Sequence, residues 1–198
     1  MRLLGITGGV GMGKSAFAAL LESLGVKVVD TDGLARELTQ PGQPPVQEIR
    51  RELGERFVDP EGRLRRAELG DHVFTHPEAR ARLEAILHPR IRRVWGARVA
   101  EWRQDGERLG AVVIPLLFET GAASQFDEVI CVACTAATQA ERLVARGWSL
   151  SQSAQRIGAQ LDIHAKLARA DRVVWTEGDL SVTREQAVQI VEAPWRWV

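Results

Sequence analysis

Gly8, Gly13, Lys14 and Ser15 stand in the spacing G-x-x-x-x-G-K-S within the stretch GITGGVGMGKS. These residue types fit the cradling of a polyphosphate. Glycines let the main chain turn at positive φ and bring its N–H groups against phosphate oxygens. A lysine ammonium offsets the charge of the β- and γ-phosphates, and a serine hydroxyl can ligate Mg²⁺. The apolar run Arg2–Ile6 precedes the loop and a helical pattern, Lys14–Leu24, follows it. Strand, loop and helix in that order are the context the motif requires, and the helix dipole adds to the pull on an anion. Gly9, Val10, Gly11, Met12 and Ala16 complete the stretch expected to hold a nucleotide.

A second group of residues bears on what receives the phosphate. A GTPase needs a base-reading N-K-x-D, and with only Lys14, Lys27 and Lys166 as lysines none exists. A small-molecule kinase needs a carboxylate at the mouth of its sheet, and VVDTDGLAR offers Asp30 and Asp32. A carboxylate there can accept a hydroxyl proton or hold Mg²⁺. The alternative for either residue is an N-cap on a helix starting near Gly33. Cys131 and Cys134 form CVAC, a spacing shared by redox and metal sites. The surrounding EVICVACT reads as a buried strand rather than the helix N-terminus that activates a thiolate, so two inert buried thiols are expected.

The elements that must position these residues are short and mostly continuous in their apolarity. Arg2–Ile6, Val26–Val29, Ala111–Ile114, Val129–Ala133 and Arg172–Trp175 read as strands covered on both faces. Lys14–Leu24, Thr135–Arg146 and about Ser181–Val191 read as helices between and after them. Strand alternating with helix predicts an α/β fold with a five-stranded parallel sheet and right-handed crossovers. Between the second and third strands the chain is too long for one crossover. The breaker cluster QPGQPP, then Val46–Leu53, Arg66–Phe74 and a long pattern from Pro77 to about Arg103, predict a helical insertion at about residues 60–105. One domain over residues 1–198 is expected.

Composition excludes more than it assigns. The 26 basic and 26 acidic residues cancel, so no nucleic-acid partner is advertised. No segment approaches 18 continuous apolar residues, and neither a membrane span nor a secretory signal is expected. A cytoplasmic protein, either a monomer or a small homo-oligomer, is the expectation.

The ordered segments GITGGVGMGKS, VVDTDGLAREL, LHPRI and VIPLLFE resemble the dephospho-CoA kinase family over nearly the whole chain, more weakly in its final third. The resemblance implies a P-loop NTPase-type three-layer sandwich. It also implies transfer of the ATP γ-phosphate to the ribose 3′-hydroxyl of dephospho-CoA, giving coenzyme A and ADP. By the same resemblance, Gly8–Ser15 hold the ATP phosphates, Mg²⁺ accompanies them at Ser15, and Asp32 is either the base for the 3′-hydroxyl or a positioner of metal and hydroxyl. Arg36 either orients that carboxylate or meets phosphate. His88 and Pro89 match a step that faces the acceptor, although a His before a helical Pro also reads as a kink with a capped imidazole. Glu119 supplies a second carboxylate for Mg²⁺ or acceptor. Arg142 and Arg146 belong to an arginine-bearing lid at about residues 138–165, with Arg156 and Gln160 on further matching positions.

Three departures from the family pattern stand out. Met12 replaces a small hydroxyl residue, so only its backbone is expected to serve the phosphates. Ala16 replaces a threonine. Trp175-Thr176-Glu177-Gly178 replaces an asparagine-bearing step near adenine, and the terminal PWRWV carries no assigned role. The alternatives are a kinase of another nucleoside or sugar, and a nucleotide-binding regulator without turnover.

Overall fold

The computed structural model describes residues 1–194, so of the terminal PWRWV only Pro194 is described and Trp195 and Trp197 lie outside it. The elements are β1 (Arg2–Thr7), α1 (Lys14–Ser23), β2 (Lys27–Asp30), α2 (Thr31–Leu38), α3 (Pro44–Leu53), α4 (Arg66–Thr75), α5 (Pro77–Gln104), β3 (Leu109–Val113), β4 (Glu128–Ala133), α6 (Ala136–Ala145), α7 (Leu150–Gly158), α8 (Ile163–Arg169), β5 (Arg172–Trp175) and α9 (Leu180–Glu192). The five strands are all parallel, in the order β2-β3-β1-β4-β5. β1 is central, paired with β3 on one side and β4 on the other, and all six of its residues are buried. Residues covered on both faces explain why the sequence shows a continuous apolar run instead of alternation.

The period of two along β4 divides the packing between the two sides of the sheet. Ile130 and Val132 join a core with Phe17, Leu20 and Leu21 of α1 and Ala187 and Ile190 of α9. Ala133 joins Met12 and Cys134 in a smaller cluster closed by Ile163 and Leu167 of α8. Each fully buried Leu, Ile or Phe side chain contributes about 1.5–3 kcal/mol by leaving water. Both thiols are free and buried, and burial pushes Cys131 up to about 11, so neither is poised for redox chemistry.

Two boundary differences bear on the site. The Val26 N–H donates to the Leu21 carbonyl at 3.0 Å and closes the turn after α1, so the ladder of β2 starts at Lys27 and runs to Asp30. α2 then begins at once with Thr31 instead of near Gly33. Asp32 therefore lies inside the first helical turn and is not the helix cap.

The chain divides into two compact units: Met1–Asp30 with the chain from Glu101 onward, and Thr31–Ala100. The second unit has its own core of Ile49, Phe57, Leu69, Val73, Ala79 and Ile86. It begins earlier than the expected insertion at about residues 60–105, because α2 and α3 fold with it and the QPGQPP turn does not separate them. Among the described residues, no helix is long and apolar enough to cross a membrane.

Candidate active site

The glycine loop leaves the end of β1 and returns as α1. Gly8, Gly11 and Gly13 adopt φ of 145°, 78° and 91°, conformations that favour glycine. Gly8 also has no room for a side chain: a Cβ there would lie 2.1 Å from the Val132 carbonyl oxygen of β4. Gly8→Ala should cost about 3 kcal/mol or more, read as a lower denaturation midpoint; an unchanged midpoint would mean that the loop can move off the strand. Lys14 folds back over the loop, donating to the Gly8 and Gly9 carbonyls at 2.9 and 2.8 Å. The expected phosphate donor at Met12 is used within the loop, since its N–H donates to the Gly9 carbonyl at 3.2 Å. What Met12 adds is its side chain, 2 % exposed, which plugs the cluster beneath the loop.

A pocket of about 280 Å³ opens beside this loop, lined among others by Gly11, Gly13, Ser15, Ala16, Arg142 and Arg146. Arg142 of α6 and Arg146, which caps the end of that helix, both line the loop's pocket. Arg142 donates to Thr176 Oγ1 at 2.9 Å and to the Thr176 carbonyl at 2.5 Å. Thr176 Oγ1 in turn donates toward the Met12 carbonyl at 3.0 Å. Thr176 thus joins the arginine-bearing helix to the phosphate loop, and a Cβ on Gly13 would come within 2.9 Å of its hydroxyl. Glu177 accepts from the Thr135 N–H and the Thr138 hydroxyl at the start of α6. Those hydrogen bonds hold its carboxyl below the usual carboxylate range. The unusual Trp-Thr-Glu-Gly step is therefore a clasp, with Thr176 and Gly178 facing the pocket. Arg156 stacks on the Trp148 ring at 4.4 Å and braces α7.

Glu119 sits after β3, but its carboxylate is committed to protein partners. Its Oε1 accepts from the Leu161 N–H at 2.8 Å and pairs with Lys166 Nζ at 2.9 Å. Lys166 is completely buried and also donates to the Pro115 carbonyl at 2.6 Å. Burial alone would raise Glu119, yet the Leu161 N–H and the Lys166 ammonium outweigh it and hold it below 4.5. Glu119→Gln leaves the Lys166 charge buried without its counter-ion. The loss should be about 2–3 kcal/mol at pH 7, under the range for a fully buried pair because the Glu119 side chain is 22 % exposed. A depressed folded pKa means that this stability is present above 4.5 and fades as pH falls through the lower folded value. Denaturation of wild type and variant should therefore converge in acid; a constant gap would sink the ion-pair account.

Within the Thr31–Ala100 unit, Asp32 lies in the first turn of α2 and Arg36 in its last. Arg66, which nothing in the sequence singled out, donates to the carbonyls of Arg36 and Thr39 at 3.2 Å each. Burial and the neighbouring Arg36 charge lower its pKa, so two cations stand together at the end of α2. α5 runs on through Pro89. Pro lacks the N–H that a helix interior uses, and the Arg90 guanidinium beside it reaches the Ile86 carbonyl at 2.5 Å. His88 is half-buried, and burial outweighs the nearby Glu84 to lower its pKa, leaving it neutral at pH 7.

Lys166, Thr176 and Gln139 carry site geometry that sequence reading did not assign. Lys166 left one usable signal: it is one of only three lysines and falls in a mostly apolar helix. Thr176 stood in a departure from pattern, and Gln139 left none.

Comparison with known proteins agrees with this geometry. The dephospho-CoA kinase family profile matches residues 2–181. The dephospho-CoA kinase of Symbiobacterium thermophilum is 41 % identical over 197 residues, covering 99 % of this chain and 81 % of that protein. Among solved structures, TT1252 from Thermus thermophilus superposes with a TM-score of 0.83 at 35 % identity, covering 97 % of this chain and 96 % of the other. The dephospho-CoA kinase from Campylobacter jejuni gives 0.70 at 25 % identity over the same shares. With the glycine loop at the end of a central parallel strand and a family match across most of its length, this chain belongs to the dephospho-CoA kinase family.

Proposed function

We propose that the protein transfers the γ-phosphate of Mg²⁺-ATP to the ribose 3′-hydroxyl of dephospho-CoA, yielding coenzyme A and ADP. The observation that carries this reading is the pocket in which the Gly8–Ser15 loop, Arg142 and Arg146 converge. Phosphoryl transfer asks little covalent chemistry of a protein and much positioning and charge. Backbone N–H groups of the loop hold the phosphates, and Lys14 exchanges the Gly8 and Gly9 carbonyls for β- and γ-oxygens. Adenine lies toward Gly178 and Leu180.

Among the described residues, no group of three or more His, Cys, Asp or Glu could hold a metal ion. Mg²⁺ would arrive with ATP, and the Ser15 hydroxyl at the pocket would be one protein oxygen for it. Arg142 and Arg146 act as a lid over residues 138–165 that excludes water and so limits wasteful hydrolysis. Asp32, two residues past the end of β2, is the proposed base for the acceptor hydroxyl; ligands of open parallel sheets bind beyond such strand ends. Arg36, with Arg66 beside it, and His88 with Pro89 serve the acceptor. Glu119 anchors Leu161 and Lys166 through Oε1 and stays the proposed second carboxylate toward Mg²⁺ or acceptor.

The test is incubation with Mg²⁺-ATP and dephospho-CoA, with products read by mass. Coenzyme A and ADP in equal amounts are expected. ATP hydrolysis with no acceptor product, or phosphorylation of a different sugar hydroxyl in preference, would overturn the acceptor assignment and leave the phosphate loop standing.

A further inference from the structure

Val10 forms the tip of the phosphate loop, and both of its backbone polar groups are taken by side-chain amides. Gln139 Nε2 donates to the Val10 carbonyl at 2.7 Å, and the Val10 N–H donates to Gln160 Oε1 at 3.0 Å. Gln139 belongs to α6 and is 6 % exposed, so its amide is committed to the interior. Gln160 follows the end of α7. Between the two glutamines lie Arg142, Arg146, Trp148 and the whole of α7. The loop tip is thus held from both ends of one segment.

Peptide planarity gives the grip a direction. The Val10 carbonyl and the Gly11 N–H share one peptide plane and point opposite ways. Gln139, Gln160 and Gly9 line a second pocket of about 300 Å³, whereas Gly11 lines the pocket shared with Ser15 and Arg142. A carbonyl drawn toward Gln139 therefore turns the Gly11 N–H toward the phosphate side. The Gly9–Val10 peptide is held likewise: its N–H faces Gln160, and its Gly9 carbonyl faces away, where Lys14 Nζ and the Met12 N–H meet it.

We propose that Gln139 and Gln160 are positioning residues for phosphoryl transfer, which clamp the Val10 peptides, set the Gly11 N–H toward the phosphates and tie the lid to the loop. The proposal rests on the reading of residues 8–15 as the phosphate cradle and of residues 138–165 as a lid. Neither glutamine touches a reacting atom. Their effect is felt through the orientation of the loop, where a small misplacement is costly.

The experiment compares wild type with Gln139→Met, Gln160→Met, the double variant and Gln160→Glu, which keeps an oxygen within reach of the Val10 N–H. Steady-state kinetics are measured with Mg²⁺-ATP and dephospho-CoA, and backbone hydrogen exchange of α7 is followed with and without a non-hydrolysable ATP analogue. Each Met variant should lose about 10- to 100-fold in kcat, with the KM for dephospho-CoA nearly unchanged. The double variant should be little worse than the poorer single, as two halves of one clamp are not additive. The analogue should protect α7 in wild type and in Gln160→Glu, and fail to do so in the Met variants. Undiminished kcat, or α7 protection equal to wild type in both Met variants, would overturn the clamp. Titration of wild type with the analogue separates the two readings: if it does not bind, the phosphate-cradle reading itself fails and takes the clamp with it.

Discussion

Lys14→Met should lower the rate of coenzyme A formation by about 10²–10³-fold and leave the fold intact. The ammonium of Lys14 already lies across the mouth of the loop, bonded to the Gly8 and Gly9 carbonyls. Removing it forfeits those two bonds, a loss of about 1 kcal/mol each, small beside a domain's stability. The cost at the phosphates is larger, because charge on the γ-phosphoryl oxygens develops where water is excluded and a fixed cation is worth most. Lys14→Arg should not rescue the rate. A planar guanidinium cannot place a compact point charge in the space framed by two adjacent carbonyls. Steady-state kinetics with a thermal melt for each variant decide the matter. A Met variant within fivefold of wild type would remove Lys14 from the chemistry.

Asp32→Asn should reduce kcat by about 10²–10⁴-fold, the span of general base catalysis, with a smaller change in the KM for either substrate. Asp32 is the acidic residue of the first turn of α2. The pH profile tests whether its carboxylate is used at all. If the ionised carboxylate serves as base or as positioner, the acid limb of kcat/KM that it causes disappears in the Asn variant. A limb that persists unchanged belongs to another group. A variant with wild-type kcat would exclude both.

Strands and the phosphate loop were legible in the sequence because their causes are local. Continuous apolar runs mark a sheet covered on both faces, and a glycine at a forced φ marks a turn. β5 falls at Arg172–Trp175 as expected, and α5 runs from Pro77 to Gln104, one residue beyond the expected end. What was not legible depends on partners far along the chain. Glu119 read as a second carboxylate at the active edge, but its bonds to Leu161 and Lys166 could not be foreseen, because no local pattern links those positions. Met12 read as a backbone donor, but its side chain is drawn under the loop by Ala133, Ile163 and Leu167. The start of α2 was misjudged because Asp30 ends a strand and Thr31 starts a helix with no turn residue between them.

The strand order has a consequence for how the chain is made. Among the described residues, β1 pairs only with β3 and β4, and β2 pairs only with β3. The first 30 residues therefore leave the ribosome without a single native strand partner among themselves. They must wait until the insertion and then β3 have been synthesised. During that interval Leu3, Leu4, Ile6 and Val29, all destined for the interior, are exposed to whatever binds apolar nascent chain. The insertion carries its own core, and its early collapse shortens the loop that pairing of β2 with β3 must close.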